Sequence, residues 1–168
     1  ERSMASTKRI LELLIEKSSI NDPKEPIINS NYKGDIHFSN LNFHYESNNS
    51  VFSNLNFTIE GSQFIGIVGQ TGSGKTTLAK LLLRFYDPIS GYVKINNINI
   101  KNLTLQELRK HIGFVSQDTF LFDGTIKENI AYYDEAATLD DIVEASKKSQ
   151  AHTFIKNLPN GYDTLIGE

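Results

Sequence analysis

FIGIVGQTGSGKTTLAKLLLR, Phe64–Arg84, decides how the rest of the chain is read. The apolar run Phe64–Val68 predicts a fully buried strand. It breaks into a glycine-rich turn, Gly69–Gly74, which runs into Lys75, Thr76 and Thr77. An apolar-periodic helix follows, with Leu78, Leu81, Leu82 and Phe85 on one side. Strand, G-x-x-x-x-G-K-[ST] and helix in that order make a phosphate-binding loop in the context it requires.

The residue types suit that chemistry. Gly69, Gly72 and Gly74 have no Cβ to forbid positive φ, so the backbone can turn with its N–H groups pointing inward. The new helix adds its positive end. Lys75 reaches the outer phosphates as a mobile point charge. Thr76 offers a hydroxyl to Mg²⁺, an ion that takes few protein ligands and keeps its waters. The candidate cradle is therefore Gly69, Gln70, Thr71, Gly72, Ser73 and Gly74, closed by Lys75, Thr76 and Thr77. A plain Gly/Ser surface turn would leave a lysine and two threonines at the head of an apolar helix unexplained.

Upstream of this stretch, Ile36, Phe38, Leu41, Phe43 and Tyr45 alternate as a strand does, and Val51–Ile59 alternates again. Glu46–Ser50 is a turn between them. Met4, Ile10, Leu11, Leu14 and Ile15 recur at helical spacing, and the polar Ser18–Pro26 reads as a linker. Downstream, Asp87-Pro88 stops the helix. Gly91–Ile95 and Ile98–Ile100 predict a hairpin around Asn96-Asn97. Capping boxes open helices at Thr104 and Thr125, and Thr138 with Asp140 and Asp141 opens another, to about Ser149. Ile112–Val115 predicts a short buried strand, and His152–Leu158 a short helix. Antiparallel strands, then the loop, then helices argue α/β with a mixed sheet.

Composition narrows the function. A chain of 168 residues can bury a real core. Net charge is −3, so no basic field favours nucleic acid. There are no cysteines, which excludes disulfides and thiolate metal sites. His37, His44, His111 and His152 lack metal-ligand spacing. No apolar run reaches bilayer-spanning length.

Several separated motifs resemble the nucleotide-binding domain of ABC transporters of the exporter type. FHY, ending at Tyr45, is similar to the aromatic loop that stacks on adenine. GQTGSGKTT matches the phosphate loop, and LLRFYDPISG, Leu82–Gly91, the helix exit. GFVSQDTFLFDGTIKENI, Gly113–Ile130, resembles the Q-loop segment, and LPNGYDTLIGE, Leu158–Glu168, the approach to the signature motif. The run HTFIKNLPNGYDT with VSQDTFLFDGTIKENIAY looks closest to the half-transporter and mitochondrial-type branch.

The resemblance implies a P-loop NTPase fold: an ABC-type ATPase domain with an antiparallel β subdomain and a mixed core sheet, incomplete at the C-terminus. It implies residues 1–32 as the helical tail of an upstream membrane domain plus linker, and 33–168 as the N-terminal part of the nucleotide-binding domain. ATP and Mg²⁺ are the implied ligands. Tyr45 would stack on the base and Val51 touch the ribose. Lys75 and Gln117 would be catalytic, and Thr76 and Gln117 would face the metal. The implied partners are a transmembrane domain, of the same or a partner chain, and a second nucleotide-binding domain, head to tail. Phe120 and Phe122 flank the surface that would meet the membrane domain. The full-length protein would be membrane-associated, with this domain on the cytosolic or mitochondrial matrix side.

The signature, the catalytic glutamate and the switch histidine do not occur in these residues, so the expectation is binding of ATP without useful turnover. Ile130–Glu135 mimics the acidic end of a Walker B strand. It follows a capped helix start and leads into another cap, so it is set aside. The alternatives are a soluble ABC-type ATPase without a membrane domain, another P-loop nucleotide-binding enzyme, and a non-catalytic interaction domain. A GTPase would show D-x-x-G after the loop and N-K-x-D for guanine, and neither is present.

Overall fold

In the computed structural model, residues 11, 15, 18–28, 34–46, 49–117, 120–132, 134 and 136–167 are described. Expectations placed on Met4, Ile10, Leu14, Ser47, Asn48, Asp118, Thr119, Tyr133, Glu135 and Glu168 lie outside them. Leu11 and Ile15 are helical and exposed. The chain divides into two compact units, Glu1–Gly113 and Phe114–Glu168.

The first unit is organised by a four-stranded antiparallel sheet in the order β2-β1-β3-β4. Its strands are β1 (Ile36–His44), β2 (Ser50–Ile59), β3 (Ser90–Ile95) and β4 (Ile98–Asn99). Phe38 pairs with Phe57 on β2 and Val93 on β3. The two phenylalanine rings stack at 4.4 Å. Buried residues on β1 are Phe38, then Leu41 and Phe43, a gap of three and then two. The extra residue is Asn40, which takes φ 46 and shifts the register, so Leu41 returns to the core face. Asn54, with φ 51, does the same on β2. Side-chain amides stitch the two bulges. Asn40 N donates to Asn56 Oδ1 at 2.8 Å, and Asn54 N to Asn42 Oδ1 at 2.9 Å. Gly91 passes beneath with φ +79, where a Cβ would meet the Asn40 carbonyl oxygen at 2.3 Å. The expected Asn96-Asn97 hairpin is present, with positive φ at both residues.

Helix α1 (Lys75–Leu82) buries Leu78 and Leu81 in the same core as Phe38, Leu41, Phe43 and Val93. The helix ends before Phe85, which is exposed and lies beyond its expected face. Buried Arg84, at φ 53, holds this exit. It donates to Asp87 Oδ1 (3.2 Å), the Leu103 carbonyl (3.4 Å) and the Asn21 carbonyl (3.0 Å). The Ser18–Pro26 stretch is thereby tied to the unit. Leu105 N also donates to Asp22 Oδ1 at 2.7 Å, at the start of α2 (Leu105–Lys110).

Two strand expectations are overturned. Phe64–Val68 forms no strand, and Phe64 and Val68 are 101% and 93% exposed. Ile112–Val115 forms none either, and Val115 is 91% exposed. A run apolar on both faces becomes a strand only when neighbours supply ladder partners and layers cover both sides. Among the described residues no strand pairs with either run. The sheets present are antiparallel, and the mixed core sheet is not formed by these residues.

In the second unit α3 (Ile126–Ala131), α4 (Leu139–Lys148) and α5 (His152–Lys156) follow one another. A short pair, β5 (Gly124–Thr125) with β6 (Leu165–Ile166), ties its ends. Thr125 forms the expected capping box with Glu128, and Thr138, expected as a helix start, forms a full box with Asp141. Backbone and side-chain hydrogen bonds from Thr125 hold the Glu128 carboxyl below its ordinary range. Those from Thr138, side chain first, do the same for Asp141. Ile130 and Ala131 are helical and Tyr132 closes α3, so the Walker B mimic is not a strand at its described residues.

Candidate phosphate-binding site

The loop Gly69–Gly74 leads into α1 without a side-chain cap. Gly74 stands at the cap position with φ 92, and Gly72 has φ 83. Space and conformation both require glycine at 74. A Cβ there would lie 2.8 Å from the Phe52 ring and 2.9 Å from Val51 Cγ1. Gly69 is constrained by space, with Ser73 Oγ 2.6 Å from the place a Cβ would take. Ser73 N donates to the Gln70 carbonyl at 3.2 Å and closes the turn.

Lys75 arches back over this turn. Its Nζ donates to the carbonyls of Gly69 and Gln70, both at 2.8 Å. A lysine that satisfies two of its three donors on the loop's own oxygens leaves its positive head at the lip of the turn. No acidic residue stands in the first turn of α1, so the helix's positive end is uncompensated. The loop borders an open hollow of about 500 Å³, lined by Gly69, Ser73, Gly74 and Lys75 together with Leu78 and apolar residues of β2 and the Ile65–Val68 run.

The two threonines part company. Thr76 is exposed, whereas Thr77 is only 7% exposed. Thr77 Oγ1 lies 3.1 Å from Tyr45 Oη. Tyr45 is half-buried, its ring in T-shaped contact with Phe43 (5.0 Å) and Tyr86 (5.2 Å). It lines a second hollow, of about 750 Å³, with His44, Glu46, Asp87 and the Ser19–Ile20 segment. Tyr45 thus touches the cradle through Thr77, and Val51 through Gly74, while Tyr45 and the loop line different hollows. Gln117 is an exposed bend residue of the second unit, described apart from this site.

The sequence reading missed Arg84 and Arg109. Arg109 donates to the carbonyls of Leu83 (3.1 Å) and Arg84 (3.2 Å) and covers the Phe85 ring at 4.9 Å. Together they fix the end of the helix whose start makes the site. Their only signal was charge near the helix exit, which commonly marks a solvated face. In the second unit Asn129 was also missed. It accepts from Phe122 N at 2.8 Å and donates to the Phe122 carbonyl at 2.8 Å, fixing one member of an exposed aromatic group. Phe120 and Phe122 lie 5.0 Å apart, and Tyr132 stands 5.4 Å from Phe122.

A glycine cradle with positive φ, a lysine at its lip and a helix beginning there define a P-loop nucleotide-binding protein. Residues 52–167 match the family described as ABC transporter. The chain belongs to that family. It is 39% identical over 168 residues to the uncharacterized ABC transporter ATP-binding protein YknU of Bacillus subtilis, covering 99% of this chain and 29% of that protein. It is 40% identical over 166 residues to a fatty acid ABC transporter ATP-binding/permease protein of Mycobacterium bovis, covering 99% and 26%. A solved bacterial Atm1-family ABC exporter with ATP bound superposes with a TM-score of 0.87 at 34% identity, over 99% of this chain and 30% of that one. The chain thus spans less than a third of the length of these relatives. Among the described residues no helix is long and apolar enough to cross a membrane.

Proposed function

We propose that this chain is the ATP-gripping part of an ABC exporter, of the half-transporter or mitochondrial-type branch, whose full-length form couples ATP binding and hydrolysis to transport across a membrane. The observation that carries the reading is the Lys75 ammonium folded over a glycine cradle at an uncapped helix start. The cradle residues fit a magnesium-bound triphosphate. Gly69–Gly74 would wrap the phosphates with backbone amides, and Lys75 would exchange its loop carbonyls for outer-phosphate oxygens. Thr76, the exposed hydroxyl, would hold Mg²⁺ together with the phosphates. Val51, beside Gly74, would touch the ribose, and the ring of Tyr45 would carry the base. Bound metal supplies charge neutralisation; the chain's residues supply position.

The Phe120–Phe122–Tyr132 group, exposed and pinned by Asn129, supports a partner-facing surface for the transmembrane domain. A second nucleotide-binding domain would complete the machine head to tail, and the domain would lie on the cytosolic or matrix face. Binding of nucleotide without useful turnover is the behaviour proposed for these 168 residues.

Thermal unfolding with and without Mg-ATP, beside a steady-state phosphate-release assay, tests this. The expected result is a raised Tm with Mg-ATP and no turnover that depends on Lys75. An unmoved Tm would favour an interaction domain that keeps the loop as scaffold. Turnover lost in Lys75→Ala would overturn the binding-only part of the proposal.

A further inference from the structure

We infer that Ser18–Ile28 is a latch, a strap that docks and releases as one piece on a receptor made by Arg84 and the Ile100–Leu105 turn, while the sheet beneath stays folded. This stands apart from the nucleotide reading. The strap forms neither helix nor strand, none of its residues is buried, and only Ile20 and Pro23 are half-buried. Directional bonds hold it instead. The Asn21 carbonyl accepts from Arg84 Nη2 at 3.0 Å, and Asp22 Oδ1, on the next residue, accepts from Leu105 N at 2.7 Å. Ile27 N donates to the Asn102 carbonyl at 2.8 Å.

The receptor is of a different kind. Ile100, Leu103 and Arg84 are all buried. Their remaining bonds do not pass through the strap. Arg84 also donates to Asp87 Oδ1 and the Leu103 carbonyl. Leu103 N donates to the Ile100 carbonyl at 3.3 Å, and Glu107 N to Thr104 Oγ1 at 3.1 Å. Release hands to water one guanidinium nitrogen, the Asn102 carbonyl and Leu105 N, a donor with no partner inside its own helix. The cost is therefore local.

A segment that buries little apolar surface opens at a lower free energy than the core it lies on. Pro23 and Pro26 fix φ at two points and bias Asp22 and Glu25 toward extended backbone, so the free strap has fewer shapes to lose on docking again. Asn21 and Asp22 are adjacent, yet they hold the exit of α1 and the start of α2. One movement of the strap breaks both bonds together. Docking fixes where the chain before Ser18 enters the unit, and release lets that entry point move.

Amide hydrogen exchange on the full 168-residue chain, followed residue by residue in low urea, tests this. Ile27 and Leu105 should exchange at least about tenfold faster than the slowest amides of β1 and β3, at rates that low urea leaves unchanged, because a small opening exposes little surface. Asp22→Ala removes the acceptor of Leu105 and no bond of Ile27. It should nevertheless speed Ile27 about tenfold, the loss of one charged hydrogen bond, and leave the urea midpoint of the unit where it was. Asp22→Asn keeps an Oδ1 acceptor and should recover most of the protection at Ile27.

An Ile27 rate unmoved by Asp22→Ala, whatever Leu105 does, means separate contacts and overturns the inference. A midpoint that falls in Asp22→Ala, with the β1 amides speeding alongside Ile27, places the strap in the cooperative core and overturns it too. If Asp22→Ala does not fold, the unmodified chain decides alone. Ile27 and Leu105 exchanging as slowly as β1, with the same urea dependence, would then be the contrary result.

Discussion

Strand β1 and the run Phe64–Val68 are both apolar and lie in the same unit, yet they end in opposite states. β1 alternates, so each residue needs cover on one side only, and β2 and β3 supply its ladder on both edges. Phe64–Val68 is apolar on both faces and finds neither ladder nor cover among the described residues. Alternation is a demand that a local hairpin can meet. A continuous run makes a demand on distant parts of a fold. The phosphate loop sits between such a run and α1, so its two flanks are held unequally.

The largest difference between the two regions lies in their phenylalanines. Phe38 is 2% exposed and stacked on Phe57, so Phe38→Ala should cost about 3–5 kcal/mol in urea unfolding. Phe64→Ala, at a fully exposed ring, should cost nothing measurable. Equal losses would mean that Phe64 is covered in solution.

Arg84 comes next. Its removal leaves the carbonyls of Leu103 and Asn21 and the carboxylate of Asp87 short of a donor. Arg84→Ala should cost about 2–3 kcal/mol, and proteolysis at Ser18–Pro26 should quicken as the segment comes loose.

Two glycines sharpen the contrast further. Gly91→Ala meets the Asn40 carbonyl at φ +79 and should lose about 2 kcal/mol or more. Gly66→Ala has nothing within 4 Å and should be neutral or slightly stabilising.

The smallest effect belongs to the second unit. Thr138→Ala removes a capping box and should cost about 1 kcal/mol. Glu128 and Asp141 have depressed folded values, the first through backbone and the second through side-chain bonds from their caps. Their contribution is therefore present above the unfolded carboxylate range, near pH 4, and lost as pH falls through the folded values. Circular dichroism at falling pH should show the helices of this unit fraying below about pH 4, less steeply in a Thr125→Ala, Thr138→Ala double variant.

What was legible in the sequence follows the same division. The hairpins, caps and phosphate loop rest on short-range chemistry: Asn96-Asn97 at a two-residue turn, Thr125 three residues before Glu128, glycine where φ is positive. These were readable from a few neighbours. The bulge at Asn40 was visible only as a break in alternation, and its cause, amides reaching across two strands, has no local signature. Arg84 and Arg109 looked like solvated charge because their acceptors are carbonyls far along the chain. Phe64–Val68 has the composition of a buried strand, but composition states what a segment needs and leaves open what is there to meet it.

Under the proposed function the turn at Gly69–Gly74, with Lys75 at its lip, holds polyphosphate. Calorimetric titration of Mg-ATP into the chain and into Lys75→Ala tests it most directly. Saturable binding to the first is expected, with a loss of more than about tenfold in the second, as for a removed charged hydrogen bond. Equal affinity of the two proteins would contradict it.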